Sequence, residues 1–107
     1  SVEAFGEKIY ATLAGFDENE SVLIIADLLS ASPYNQSVLS VNKLDEKRAE
    51  NVRLIAGASL PMVLEGINQQ LLGSDLEAAV NELKNYTISD DYVWKKSVVE
   101  EADEDDF

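Results

Sequence analysis

The polar and apolar positions of this chain divide it into short segments of two kinds. Val2, Phe5, Ile9 and Leu13 recur at helical spacing with Glu3, Glu7 and Lys8 between them. That spacing predicts an amphipathic helix over roughly 2–14, ended by Gly15. Asp17 to Glu20 reads as a polar loop. Val22 to Ala26 is an unbroken apolar run containing the β-branched Val22, Ile24 and Ile25. Without alternation it predicts a strand covered on both faces, as in a parallel sheet. Leu28 to Ala31 is the turn, after which Ser32 is the expected N-cap and Pro33 the first helical residue. The helix should run to about Leu44, with Val38, Leu39 and Val41 facing inward, and Asp45 to Asn51 should be charged and solvated.

The same sentence is then repeated. Val52 to Ala56 predicts a second strand closed by Gly57, and Ser59-Leu60-Pro61 starts another helix. Met62, Val63, Leu64, Ile67, Leu71 and Leu72 give that helix a broad apolar face, and Gly73 ends it. Ser74 and Glu77 stand at capping-box spacing, with Ser74 as the cap of a helix to about Asn85 whose inner face is Leu76, Ala79, Val80 and Leu83. Val93 to Val99 is expected as an edge strand, blunted by Lys95 and Lys96, and Trp94 within it as a core or dimer contact. Helices alternating with short strands define an α/β fold with a parallel sheet. Four helices for so few strands is an imbalance, and the first helix has no strand before it. The simplest account is a strand preceding Ser1, which makes residues 1–99 part of a larger domain and residues 100–107 a disordered acidic tail.

Composition narrows the function classes. The 107 residues carry 21 acids against 8 bases, a formal charge of −13, which becomes −7 when the six acids of the last eight positions are set aside. An acidic surface repels phosphate backbones and anionic lipid heads, so nucleic acid and direct membrane binding are not expected. With no Cys and no His, thiol chemistry, thiolate metal sites and an imidazole base are all absent from the chain. No cofactor or metal site is called for. No apolar run reaches the ~20 residues that span a bilayer, and no signal peptide is evident, so cytoplasm is the expected compartment.

Candidate chemistry gathers at Val22 to Asn35. Open α/β sheets bind ligands beyond the carboxyl ends of their strands. A helix start at that edge offers free backbone N–H groups and partial positive charge, which suit a phosphate. Asp27 stands at the strand end, either as a working carboxylate or as a loop Asp holding its turn. A receiver-type phosphoacceptor is a rival reading, but the acidic pair on an earlier strand and the later strand-end Lys are not evident. Ser32 can cap the helix and donate to a phosphoryl oxygen, since both uses address the same orphan donors. Tyr34 and Asn35 on the first turn can orient the loop. Ser59 and Leu60, at the second helix start, would line the same rim or simply cap and pack.

Two stretches carry a family resemblance. Ala26-Asp27-Leu28-Leu29-Ser30-Ala31-Ser32-Pro33-Tyr34-Asn35 and Gly57-Ala58-Ser59-Leu60-Pro61-Met62, in that order and at that spacing, resemble the mannose/fructose/sorbose class of enzyme IIA proteins of the bacterial phosphoenolpyruvate-dependent sugar phosphotransferase system. The resemblance covers most of residues 2–99. It implies a doubly wound, mostly parallel sheet with helices on both faces, in a cytoplasmic homodimer that exchanges the C-terminal edge strand. It implies a phosphoryl relay during sugar uptake, from the histidine phosphocarrier protein to enzyme IIB, with the membrane reached only through the permease subunits. In the family a His on the loop after the first strand is the acceptor, Asp27 would orient its imidazole, and Ser32 would donate to the phosphoryl oxygens. This sequence departs from the pattern twice. It holds no His, as expected if the leading strand and acceptor loop lie outside it, and Ser30-Ala31 replaces a Gly-Gly pair, which makes positive φ harder. A non-catalytic regulatory or binding module on the same fold is the alternative that these departures leave open.

Overall fold

A computed structural model describes residues 1–97. The elements are α1 (Val2–Ala14), β1 (Val22–Ala26), α2 (Ser32–Asn42), α3 (Glu46–Glu50), β2 (Val52–Ala56), α4 (Leu60–Leu72), α5 (Leu76–Leu83), 3₁₀ turns at Lys84–Tyr86 and Asp90–Tyr92, and β3 (Val93–Trp94). Among the described residues the sheet is small, open and mixed, in the order β1-β2-β3. β1 and β2 run parallel in register from Val22 opposite Val52 to Ala26 opposite Ala56. β3 pairs antiparallel with β2, placing Val93 opposite Ile55 and Trp94 opposite Leu54. Of the edge strand expected over Val93–Val99, only Val93–Trp94 is strand, and it pairs within the chain; Lys95 to Ser97 are described but belong to no strand, and Val98, Val99 and the acidic tail lie outside the described residues.

Strand alternation sorts the apolar residues into two layers. Val22 and Ile24 pack with Leu13, Val41, Leu44, Ala49 and Val52, while Ala26, Tyr34, Leu54 and Ala56 form a contiguous cluster beside them. Trp94, half-buried, packs against both, which makes it a core residue of this chain. On the opposite face Leu23 and Ile25 pack with Ile55, Met62, Val80 and Leu83. Helices therefore cover both faces, as an apolar strand without alternation requires. Between β2 and α5, Arg53 donates from Nη2 to Glu77 Oε1 at 2.7 Å. Glu77 is largely exposed, so the pair contributes less than about 1 kcal/mol.

Four expectations need correction. Ala31, not Ser32, is the N-cap of α2, and Ser32 is already helical. Asp75, not Ser74, caps α5 by accepting from the Ala78 N–H at 2.8 Å, because the Ser74 hydroxyl turns back to Gln69 Oε1. The charged stretch 45–51 is not all solvated loop. It holds the one-turn α3, closed by Asp45 accepting from the Arg48 N–H at 3.1 Å and anchored by the buried Ala49. Finally, the inner face of α2 is Tyr34, Ser37, Ser40 and Val41, whereas Leu39 is exposed. The reason is the close approach of α1: the Gln36 side chain occupies the space a Cβ on Gly6 would need, and Ser40 Oγ donates to the Gly6 carbonyl at 3.1 Å. Small residues let these helices meet, and Leu39 is turned away.

The apolar face of α4 also departs from expectation. Met62 is fully buried, but Val63, Leu64, Ile67, Leu71 and Leu72 are all exposed. The same side of the molecule carries the outer edge of β1, which has no strand beside it among the described residues. Four of the five β1 residues are only half-buried, whereas four of the five in β2 are buried. A groove of about 470 Å³ runs along this edge, lined by Leu23 and Ile25 of β1 and by Val63, Ile67 and Gln70 of α4.

Candidate functional site

Parallel neighbours deliver their carboxyl ends to the same side, so the loops after β1 and β2 must meet. They do so through backbone: the Gly57 N–H donates to the Asp27 carbonyl at 3.2 Å, and the Ala58 N–H to the Ala26 carbonyl at 3.0 Å. These bonds carry the ladder past the strands and hold the starts of α2 and α4 on one rim. Gly57 achieves this at φ +87, a conformation that costs a Cβ-bearing residue roughly 1–2 kcal/mol.

On the β1 side Asp27 is exposed, with one carboxylate oxygen accepting from the Leu28 N–H at 2.9 Å. Ser30 sits at φ +62, so this chain does adopt a left-handed turn there despite its Cβ. Asn35 reaches back to that turn, its Nδ2 donating to the Ser30 carbonyl at 2.9 Å. Ala31 offers no side-chain acceptor to the first turn of α2, and Ser32 is exposed beside it. The α2 start consequently presents uncapped N–H groups next to the Asp27 loop. Tyr34 instead points into the protein, 8% exposed, and burial raises its phenol pKa above the ordinary value. It supports the rim from below.

The two helix starts are not equivalent. At α4 the Ser59 hydroxyl accepts from the Met62 N–H at 3.2 Å, so its oxygen is engaged as a cap. Leu60 is 72% exposed and forms an apolar shoulder rather than core. Asp27, Ser32 and Asn35 therefore belong to one loop-and-turn unit, Ser59 and Leu60 to the adjoining one, and Tyr34 is buried in the cluster with Ala26, Leu54 and Ala56. Sequence reasoning missed Tyr92, whose ring atoms lie 3.2 and 3.4 Å from where a Cβ on Gly57 would stand. The only signal was an aromatic next to the presumed edge strand, and nothing local tells which loop it reaches. Among the described residues no group of acidic side chains is arranged to hold a metal ion, and no helix is long and apolar enough to cross a membrane.

In open α/β sheets ligands bind beyond the carboxyl ends of the strands, the edge at which these polar loop groups gather. The family model described as the PTS system fructose IIA component, of the mannose-type enzyme IIA group, matches residues 1–84. The chain belongs to that family, a component of the phosphotransferase system in sugar uptake. β3 and Tyr92 lie beyond the matched residues.

Proposed function

We propose that this chain forms one wall of a phosphoryl-relay site, receiving phosphate from the histidine phosphocarrier protein and passing it to enzyme IIB in the cytoplasm. The observation that carries the reading is the shared rim, where the exposed Asp27 carboxylate stands beside an α2 start with no side-chain cap. The acceptor imidazole is carried by a segment outside this sequence, which contains no His. Support for such a segment is the outer edge of β1, which has no strand beside it among the described residues, and the groove along it, where Leu23, Ile25, Val63 and Ile67 offer apolar contacts to an added strand.

In this reading Asp27 accepts a hydrogen bond from the imidazole nitrogen that is not phosphorylated, which fixes the tautomer and raises the basicity of the other nitrogen. That nitrogen attacks the phosphorus of the donor phosphohistidine in line. The N–P bond to the donor breaks as the new one forms, and the donor imidazole leaves with its electron pair. The N–H groups at the start of α2, with the Ser32 hydroxyl, face charge on the equatorial oxygens. Tyr34 and Asn35 hold the loop, and Ser59 and Leu60 form the far rim. Transfer to enzyme IIB is a second such displacement with the roles exchanged: a nucleophile on enzyme IIB attacks the phosphorus, the N–P bond to this imidazole breaks, and this imidazole leaves with the electron pair. A homodimer that exchanges the C-terminal strand fits the family, although here β3 pairs within its own chain.

The test is incubation of the intact protein with phosphoenolpyruvate, enzyme I and the histidine phosphocarrier. Phosphate retained at an acid-labile, base-stable position, and lost about 100-fold in rate in Asp27→Asn, is the expected result. The second reading, a regulatory module of the same fold, is favoured by Ser30 and Ala31 standing where the family has glycines; absence of any stable phosphorylation would establish it over the first.

A further inference from the structure

Tyr92 joins the rim from a part of the chain that the family match does not reach. Two constraints fix it. The Tyr92 N–H donates to the Ser89 carbonyl at 3.1 Å within a 3₁₀ turn that Ser89 caps, its hydroxyl accepting from the Asp91 N–H. Immediately after it, Val93 enters β3 opposite Ile55. The ring, half-buried, packs against the cluster of Ala26, Tyr34, Leu54 and Ala56 and lies over Gly57. The ring thus lies between the cluster that holds Ala26 and Tyr34, behind Asp27 and the α2 start, and the Gly57 loop that leads into α4. Gly57 in turn holds Asp27 through its N–H.

We infer that Tyr92 is a positioning residue of this site, clamping the Gly57 loop against Asp27 so that the carboxylate and the α2 start keep their mutual placement. The inference rests on the phosphoryl-relay reading, and it makes the segment after residue 84 a working part of the site. The ring acts by shape: its Cδ2 and Cε2 atoms occupy the space that a side chain at Gly57 would need. Phe supplies the same surface, whereas Ala and Leu do not. A ring that only filled the core would affect stability and leave the loop bonds and the transfer rate of the folded protein alone.

The experiment has two readouts on Tyr92→Ala, Tyr92→Leu and Tyr92→Phe. In this chain, amide hydrogen exchange should fall in protection by ~10-fold at Gly57 and Ala58 in the Ala and Leu variants while Leu54 and Ile55 stay protected, and Phe should restore the wild-type pattern. In the intact protein, phosphoryl uptake should lose kcat by ~10-fold in the Leu variant with KM for the phosphocarrier unchanged, and Phe should again restore it. Tyr92→Leu keeps apolar bulk and serves where Tyr92→Ala does not fold. Unchanged protection at Gly57 in a folded variant overturns the inference, as does loosened protection with undiminished uptake. If the wild type itself takes up no phosphate, the relay reading falls and this inference with it; an active wild type matched by an equally active Tyr92→Leu overturns the inference alone.

Discussion

Gly57 and Gly73 provide a matched pair for measuring what Tyr92 does. Both have positive φ, +87 and +70, but a Cβ at Gly73 would meet nothing within 4 Å, whereas at Gly57 it would meet the Tyr92 ring at 3.2 and 3.4 Å. Gly73→Ala therefore reports backbone strain alone. The left-handed conformation costs an L-residue about 1–2 kcal/mol, and the lower chain entropy of unfolded Ala returns about 0.4–1 kcal/mol. The net loss should be roughly 0.5–1 kcal/mol. Gly57→Ala adds overpacking, for which about 1–2 kcal/mol is appropriate because the half-buried ring can yield a few tenths of an ångström. The total should be roughly 1.5–3 kcal/mol. Urea unfolding followed by far-UV circular dichroism, with a slope of about 1–1.5 kcal/mol/M for so short a chain, should put the Gly57→Ala midpoint about 0.7–2 M below that of Gly73→Ala. Combining Gly57→Ala with Tyr92→Ala should remove the excess, as a coupled pair requires. Equal losses in the two single variants, or an excess that survives removal of the ring, would refute the contact.

Other expected outcomes follow from single features. Ser30→Gly relieves the left-handed strain at φ +62 and, after the entropy cost of Gly, should raise stability by about 0.5–1 kcal/mol; a lower thermal midpoint would contradict the strained turn. Leu54→Ala empties the centre of the sheet at a position with no exposure and should cost about 2–5 kcal/mol in denaturant unfolding, with a cost under about 1 kcal/mol speaking against this core. Asp45 has its carboxyl pKa lowered, first by the Arg48 backbone N–H and then by the Arg48 side chain. A depressed folded-state pKa adds stability above the unfolded value and loses it as pH falls through the folded one. Wild type should thus lose stability more steeply than Asp45→Asn on acidification below about pH 4, and parallel curves would exclude the pairing.

Much of this protein is legible without coordinates because its signals are local. The short β-branched runs bounded by polar or small residues read as strands, and β1 and β2 occupy the expected residues, Val22–Ala26 and, with Arg53 within it, Val52–Ala56. Ser59, Pro61 and Gly73 bound α4 as expected, because caps and left-handed stops depend on neighbours in the chain. Adjacent parallel strands bring their carboxyl ends together, so one rim for the two Ser-Pro turns followed from the strand assignment.

What the tertiary structure decided are the choices between local options of similar energy. Ser32 and Ala31 were both able to stand at the helix boundary, as were Ser74 and Asp75, and the outcome depends on where a hydroxyl finds its partner, at Gln69 in the second case. Leu39 against Ser37 and Ser40 was settled by how closely α1 approaches, a distance that hydrophobic spacing does not encode. The half-buried β1 edge and the exposed α4 face arise because burial belongs to neighbours in space, and an apolar pattern states only the capacity for it. Tyr92 reaches Gly57 from 35 positions away for the same reason: the antiparallel return of β3 beside β2 carries it there, and no periodicity within either segment specifies that pairing.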